Sequence, residues 1–180
     1  MTPSSLLCLL GLAIGLAGCV SHEPVEPVGN LAASQNWLFT GKLGVRTPND
    51  SSNLGIEWRQ QGERFEIGLS GPLGLSAARI QGNGNHVTLE TREGEAQTAS
   101  SPDELIMMVL GYDIPVEPMQ YWVRGIPAPW APYTETNEGM RQLGWLVTWN
   151  EWQGNRPTKM TFRIPQATLK LVVRSWQVDP

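Results

Sequence analysis

From Asn36 onward the chain alternates between apolar and polar residues with a period of two, the pattern of strands with one buried and one wet face. Trp37, Phe39, Leu43 and Val45 share one parity, and Thr40, Lys42 and Arg46 the other. Leu54, Ile56 and Trp58 alternate with Gly55, Glu57 and Arg59, and Phe65, Ile67 and Leu69 with Glu66, Gly68 and Ser70. Val87 and Leu89, then Met160, Phe162 and Ile164, then Leu169, Leu171 and Val173 repeat the rule. Segments rich in Gly, Asn and Glu separate the runs, at 60–63, 82–85, 92–95, 137–139 and 153–157. Strands of this kind joined by short turns belong to antiparallel sheets.

Helical signal is confined to the middle. Ser101-Pro102-Asp103-Glu104 has the form of a capping box with Pro at the first helical position. Leu105, Ile106, Val109 and Leu110 then supply an apolar face, with Gly111 as a stop. A second short helix is expected from Glu117 to Arg124, ended by Gly125 and Pro127. The predicted fold class is mainly β (α+β): one strongly curved antiparallel sheet with short helices lying against it.

The stretch "GLSGPLGLS", residues 68–76, interrupts this order. Gly71 and Pro72 break a strand, and Leu73 stands where a turn tip is normally polar. A type I turn suits Gly71-Pro72-Leu73-Gly74, because Leu is poor at the third position of type II. The same stretch nearly matches a nucleophile elbow, but Pro72 replaces the last Gly and no helix follows.

The N-terminal region has a different character. Residues 5–18 carry no charge and have the length of a signal-peptide core, short of the roughly 20 apolar residues of a membrane span. They run into Leu16-Ala17-Gly18-Cys19, which resembles a bacterial lipobox. That likeness implies removal of residues 1–18 and lipidation of Cys19; an ordinary signal peptide or an anchor helix is the alternative. No Lys or Arg precedes the apolar run. Several acyl chains anchor stably where one is marginal. Val20, rather than Asp, at the next position points by the same likeness to the outer membrane. Residues 19–35 read as the lipidated cysteine and a tether with two Glu-Pro pairs, and residues 36–180 as the domain.

Composition narrows the function classes. A net charge of −4 and a pI near 5.2 give no basic footprint for nucleic acid. Once Cys8 has left with the leader and Cys19 carries a thioether, no thiol remains for a disulfide, metal or catalytic role. The remaining histidines are His22, in the tether, and His86, beside a turn. Neither sits in a metal-ligand or catalytic pattern, so no catalytic residue, metal or cofactor is assigned. An apolar sheet face is either a packed core or the wall of a lipid cavity, and periodicity alone does not separate the two.

The stretches "NWLFTGKLGVRTP", "IEWRQQGERFEIGLSGPLG", "YWVRGIPAP" and "LKLVVRSWQV" occur in this order across residues 36–178. With the lipobox they resemble the LolB family of outer-membrane lipoprotein receptors; only "NEGMRQLGW" looks a few residues shorter than its family counterpart. The resemblance implies an unclosed β-barrel with a helical lid over a hydrophobic cavity. It also implies a non-enzymatic monomer, lipid-anchored at the periplasmic face of the outer membrane. Such a protein accepts acylated lipoprotein cargo from the periplasmic carrier LolA and inserts it into outer-membrane lipid. On that reading Trp37, Phe39, Ile56, Trp58, Phe65, Ile67, Leu69, Leu89, Trp145, Val147, Trp149, Phe162 and Leu171 are candidates for the acyl-chain cavity. Ile106, Val109, Leu110 and Trp122 are candidates for the lid, and Pro72, Leu73 and Gly74 for a membrane-contact loop. The rival readings are an envelope lipoprotein with a filled core that docks a partner through its sheet, and an esterase relying on His86.

Overall fold

The alternating runs pair into a single sheet. The computed structural model describes residues 30–71, 74–83, 86–91, 96–105 and 114–179. The strands are β1 (Asn36–Arg46), β2 (Ser51–Gln61), β3 (Arg64–Ser70), β4 (Ser76–Gly82), β5 (Val87–Thr91), β6 (Ala96–Ala99), β7 (Tyr133–Thr136), β8 (Gly139–Gln142), β9 (Trp145–Gln153), β10 (Arg156–Ile164) and β11 (Ala167–Val178). Helix α1 (Val116–Trp122) separates β6 from β7. The 11-stranded sheet has the order β6-β5-β4-β3-β2-β1-β11-β10-β9-β8-β7. Every neighbouring pair is antiparallel, and among the described residues β6 and β7 are the end strands and do not pair with each other, so the sheet curves without closing. Sequence-adjacent strands make each pair except β1–β11, which joins the two ends of the domain.

Register carries the apolar parity from strand to strand. One inward row runs Phe39–Trp58–Ile67–Ile80–Leu89 across β1 to β5. A second runs Trp149–Met160–Leu171–Leu43–Leu54 across β9, β10, β11, β1 and β2. Strand β11 breaks parity once: Leu169, Leu171 and Val173 face inward, and so do Trp176 and Val178. A β-bulge opposite Thr40 and Gly41 supplies the extra residue. Gly41 makes the bulge possible, because a Cβ there would stand 2.3 Å from the Val172 carbonyl oxygen.

The domain begins earlier than its strand pattern. Residues 30–35, expected as the end of the tether, pack against it: Leu31 is fully buried and Ser34 nearly so. The buried Arg124 side chain holds this segment, its Nη1 donating to the carbonyls of Ser34 (2.7 Å) and Ala32 (3.3 Å).

Residues 102–105 are helical, with Ser101 Oγ accepting from Glu104 N–H at 3.2 Å as the expected cap requires. The return arm differs from a capping box, since the Glu104 carboxylate accepts from the N–H and Oγ of Ser100 rather than from Ser101. Helix α1 starts at Val116, one residue before the expected Glu117. Its N-cap, Pro115, has no side chain to offer. Asp103 caps it from the earlier helical turn, Oδ1 accepting from Val116 N–H (2.8 Å) and Glu117 N–H (3.3 Å).

Candidate functional site

Curvature gives the sheet a concave face, and that face is filled on one side and hollow on the other. The filled side is built on Trp122 at the end of α1, which is fully buried. Its ring stacks on Phe162 (centroids 6.1 Å apart) and lies 6.5 Å from Trp145. Its indole N–H donates to Gln142 Oε1 at 2.6 Å, and its carbonyl accepts from Trp149 Nε1 at 2.7 Å. Trp122 is therefore wedged into the core rather than lying over a cavity. Trp145 and Phe162 pack beside it, Val147 belongs to the same core, and Trp149 packs at the core's margin.

The hollow side lies under β1 to β4. An apolar cavity of about 310 Å³ is lined by Leu43, Val45, Leu54, Ile56, Trp58, Ile67, Leu69 and Ile80, and by Ala167 and Leu169 of β11. Ile114, Val116 and Met119 close it from the α1 side, and Thr47, Asp50 and Ser52 supply its polar lining. A second cavity, of about 580 Å³, has a mixed lining that includes Trp37, Gln60, Phe65, Gln120, Tyr121, Arg124 and Trp130. Trp58 and Val116 line both. Inward side chains along β2 trace the change of character: Leu54 and Ile56 face the apolar cavity, Trp58 stands between, and Gln60 faces the mixed one.

Trp58 is held firmly in that position. Its indole N–H donates to Gln60 Oε1 (3.1 Å), and the Gln60 amide donates to the Gly62 carbonyl (2.8 Å). Trp37 and Phe39 pack against its ring at 5.4 and 6.1 Å. On α1 and just beyond it the same division recurs, with Met119 on the apolar side and Gln120, Tyr121 and, two residues past the helix, Arg124 on the mixed side. Arg124 lies 4.8 Å from the Tyr121 ring centroid. Burial pushes its pKa down, with the Tyr121 phenol acting in the opposite direction; a guanidinium remains charged even so.

Of the residues expected to line a cavity, Ile56, Trp58, Ile67 and Leu69 meet in the apolar one, and Trp37, Trp58 and Phe65 in the mixed one. Phe39, Leu89, Trp145, Val147, Phe162 and Leu171 belong to the packed core, and Trp149 packs against it. Leu43, Val45, Leu54, Ile80 and Leu169 line the apolar cavity without having been singled out, although parity already placed most of them inward. Ile114, Val116 and Met119 carried no such signal, because only the docking of α1 brings them to the sheet.

The remaining candidates fall elsewhere. Ile106, Val109 and Leu110 of the expected lid, Pro72 and Leu73 of the loop, and Cys19 lie outside the described residues. The flanks of the loop are described. Gly74 N–H donates to the Gly71 carbonyl at 3.2 Å, and Gly71 N–H donates to the Leu75 carbonyl at 2.9 Å. Gly74 is exposed with φ +74, a left-handed conformation that glycine adopts without strain. Leu75 is also exposed, so apolar surface stands at this corner of the sheet.

Comparison with known proteins agrees with this architecture. The family model described as outer membrane lipoprotein LolB matches residues 35–176. A relative named outer-membrane lipoprotein LolB from Alkalilimnicola ehrlichii is 32% identical over 97% of this chain and 98% of its own. Another of that name, from Cellvibrio japonicus, is 34% identical over 96% of this chain and 97% of its own. Among solved structures, a LolA superfamily protein from Nitrosomonas europaea has a similar fold, with a TM-score of 0.52 at 8% identity, covering 82% of this chain and 88% of that one. An unclosed eleven-stranded sheet with an apolar hollow, matched by this family along nearly all of its described length, belongs to a member of the LolB outer-membrane lipoprotein family.

Proposed function

We propose that this protein accepts acylated lipoproteins from a periplasmic LolA-type carrier and passes them to the inner leaflet of the outer membrane. It would itself be held there by lipidated Cys19 after loss of residues 1–18. The observation that carries the reading is the apolar cavity of about 310 Å³ beneath an unclosed sheet in a chain of this family.

The physical need is plain. Each buried methylene is worth about 0.8 kcal/mol, so exposing one ordinary acyl chain to water costs on the order of 10 kcal/mol. An acylated cargo must therefore move between shielded sites. Transfer by partition alone runs downhill when this cavity outbinds the carrier's and the bilayer outbinds both. Apolar walls suit such a relay, because release breaks no hydrogen bond. No covalent step is required of the protein.

Leu73 has a distinct role in this scheme. On a loop whose neighbour Leu75 is exposed, it would touch the bilayer as cargo leaves. Mixing the protein with a carrier–lipoprotein complex tests the whole reading, and cargo should change hands. Ile67→Glu places a charge in the cavity wall and should block acceptance, whereas Leu73→Glu should leave acceptance intact and impair insertion. Cargo that stays on the carrier with the unmodified protein, or is accepted normally by a folded Ile67→Glu variant, would sink the cavity reading.

A further inference from the structure

The apolar walls of the first cavity suit the chain of an acylated ligand, but the ester and amide carbonyls at its head need hydrogen-bond donors once they leave water. The 580 Å³ cavity of mixed lining adjoins it, with Trp58 and Val116 lining both.

That second cavity carries donors with no partner among the described residues. Arg124 is buried to 7% exposure. Its Nε donates to the Gln120 carbonyl at 2.9 Å and its Nη1 to Ser34 and Ala32, while Nη2 has no hydrogen bond to a described residue. The half-buried side-chain amide of Gln120, one turn away, likewise has none. Trp130, 51% exposed, stands edge-on to Tyr121 with centroids 5.0 Å apart. Aromatic rings with a polar tip beside these N–H donors match the interfacial zone of a lipid, where ester and amide carbonyls meet water.

We propose that the mixed cavity is a head-group site, which binds the ester and amide carbonyls of an acylated ligand through Arg124 Nη2 and Gln120. The tail passes Trp58 into the apolar cavity. This rests on the acyl-binding reading above and adds direction to it: the ligand lies head toward Gln120, tail end toward Leu54. The carbonyl chemistry is shared by a triacylated cysteine and by a glycerophospholipid, and the experiment separates the two sources.

The mature full chain would carry benzoylphenylalanine at Gln120 or at Leu54, be reconstituted into phospholipid vesicles, and receive a synthetic triacylated cysteinyl peptide from cyclodextrin. After irradiation, mass spectrometry locates each adduct. Head-group atoms joined at position 120 and chain atoms at position 54 are the expected result. Adducts at 120 with phospholipid glycerol, formed equally without the peptide, keep the head-group site and assign it to membrane lipid. Chain adducts at 54 with none at 120, or the reverse polarity, overturn the head-group site and leave the cavity reading standing. No adduct at either position overturns both.

Discussion

Gln142 shows how much can depend on one side chain. It is buried to 2% exposure, and both ends of its amide are in use. Oε1 accepts from Trp122 Nε1 and from Ala128 N–H (2.8 Å), while Nε2 donates to the carbonyls of Ala128 (2.8 Å) and Ala131 (2.7 Å). Gln142→Leu keeps the volume and leaves those groups unmatched, at about 1–3 kcal/mol for each buried group stranded. The urea midpoint should fall by the equivalent of at least ~2 kcal/mol with an unchanged slope. A loss well under ~1 kcal/mol would mean that water replaces the amide. The next residue offers the opposite case. Leu143 occupies the first position of a two-residue hairpin loop with φ 51, a conformation that favours Asn or Gly. Its side chain is exposed and has nothing to lose by replacement. Leu143→Asn should raise stability by ~1 kcal/mol, since the left-handed conformation costs an ordinary residue about that much. Unchanged or lower stability would show that the Leu side chain compensates for its backbone.

Among the elements, those with strong contrast between faces were legible in the sequence. Parity marked β1, β2, β3, β5, β10 and most of β11 because large apolar and charged residues alternate there. It passed over β4, which opens Ser76-Ala77-Ala78, and β6, Ala96–Ala99, whose residues are too small or too polar to define a face. The bulge in β11 was equally hidden, since Trp176 and Val178 look off-parity until Gly41 and Val172 are seen to touch. Long-range caps escape notice for a similar reason. Asp103 reads as part of its own helical turn, yet its carboxylate serves α1. Asp103→Ala should cost about 1 kcal/mol, the usual value of an N-cap, and a thermal melt would measure it. Glu104 adds a pH dependence. Its hydrogen bonds from Ser100 hold its pKa below the ordinary carboxylate value, against a small opposing effect of burial. A depressed folded pKa means that this stabilisation is complete above the unfolded value and fades as pH falls through the folded one. Glu104→Gln should flatten that acid limb of the stability profile, and an unaltered limb would assign it to other carboxylates.

At the scale of the whole molecule, the site divides into what parity can state and what it cannot. Alternation says that Ile56, Ile67 and Phe162 all point inward, and all three are buried. It does not say that the first two face a void while the last meets Trp122, because the filling side chain comes from a helix far along the chain. That asymmetry has a mechanical consequence. Atoms beside a void lose dispersion partners, so the hollow side has less energy opposing local opening than the filled side. Native-state hydrogen exchange should therefore show the central amides of β2 and β3, around Trp58 and Ile67, opening at lower free energy than those of β9 and β10, around Val147 and Phe162. An acyl ligand that binds only the folded state adds about 2.7 kcal/mol at a hundred times its Kd. Filling the cavity should raise protection in β2 and β3 toward that of β9 and β10, while the filled side, already limited by global unfolding, gains only what the whole molecule gains. Equal protection on both sides without ligand, or a ligand effect spread evenly over the sheet, would mean that the two sides open as one unit and that the void is not the mechanical weak point of the fold.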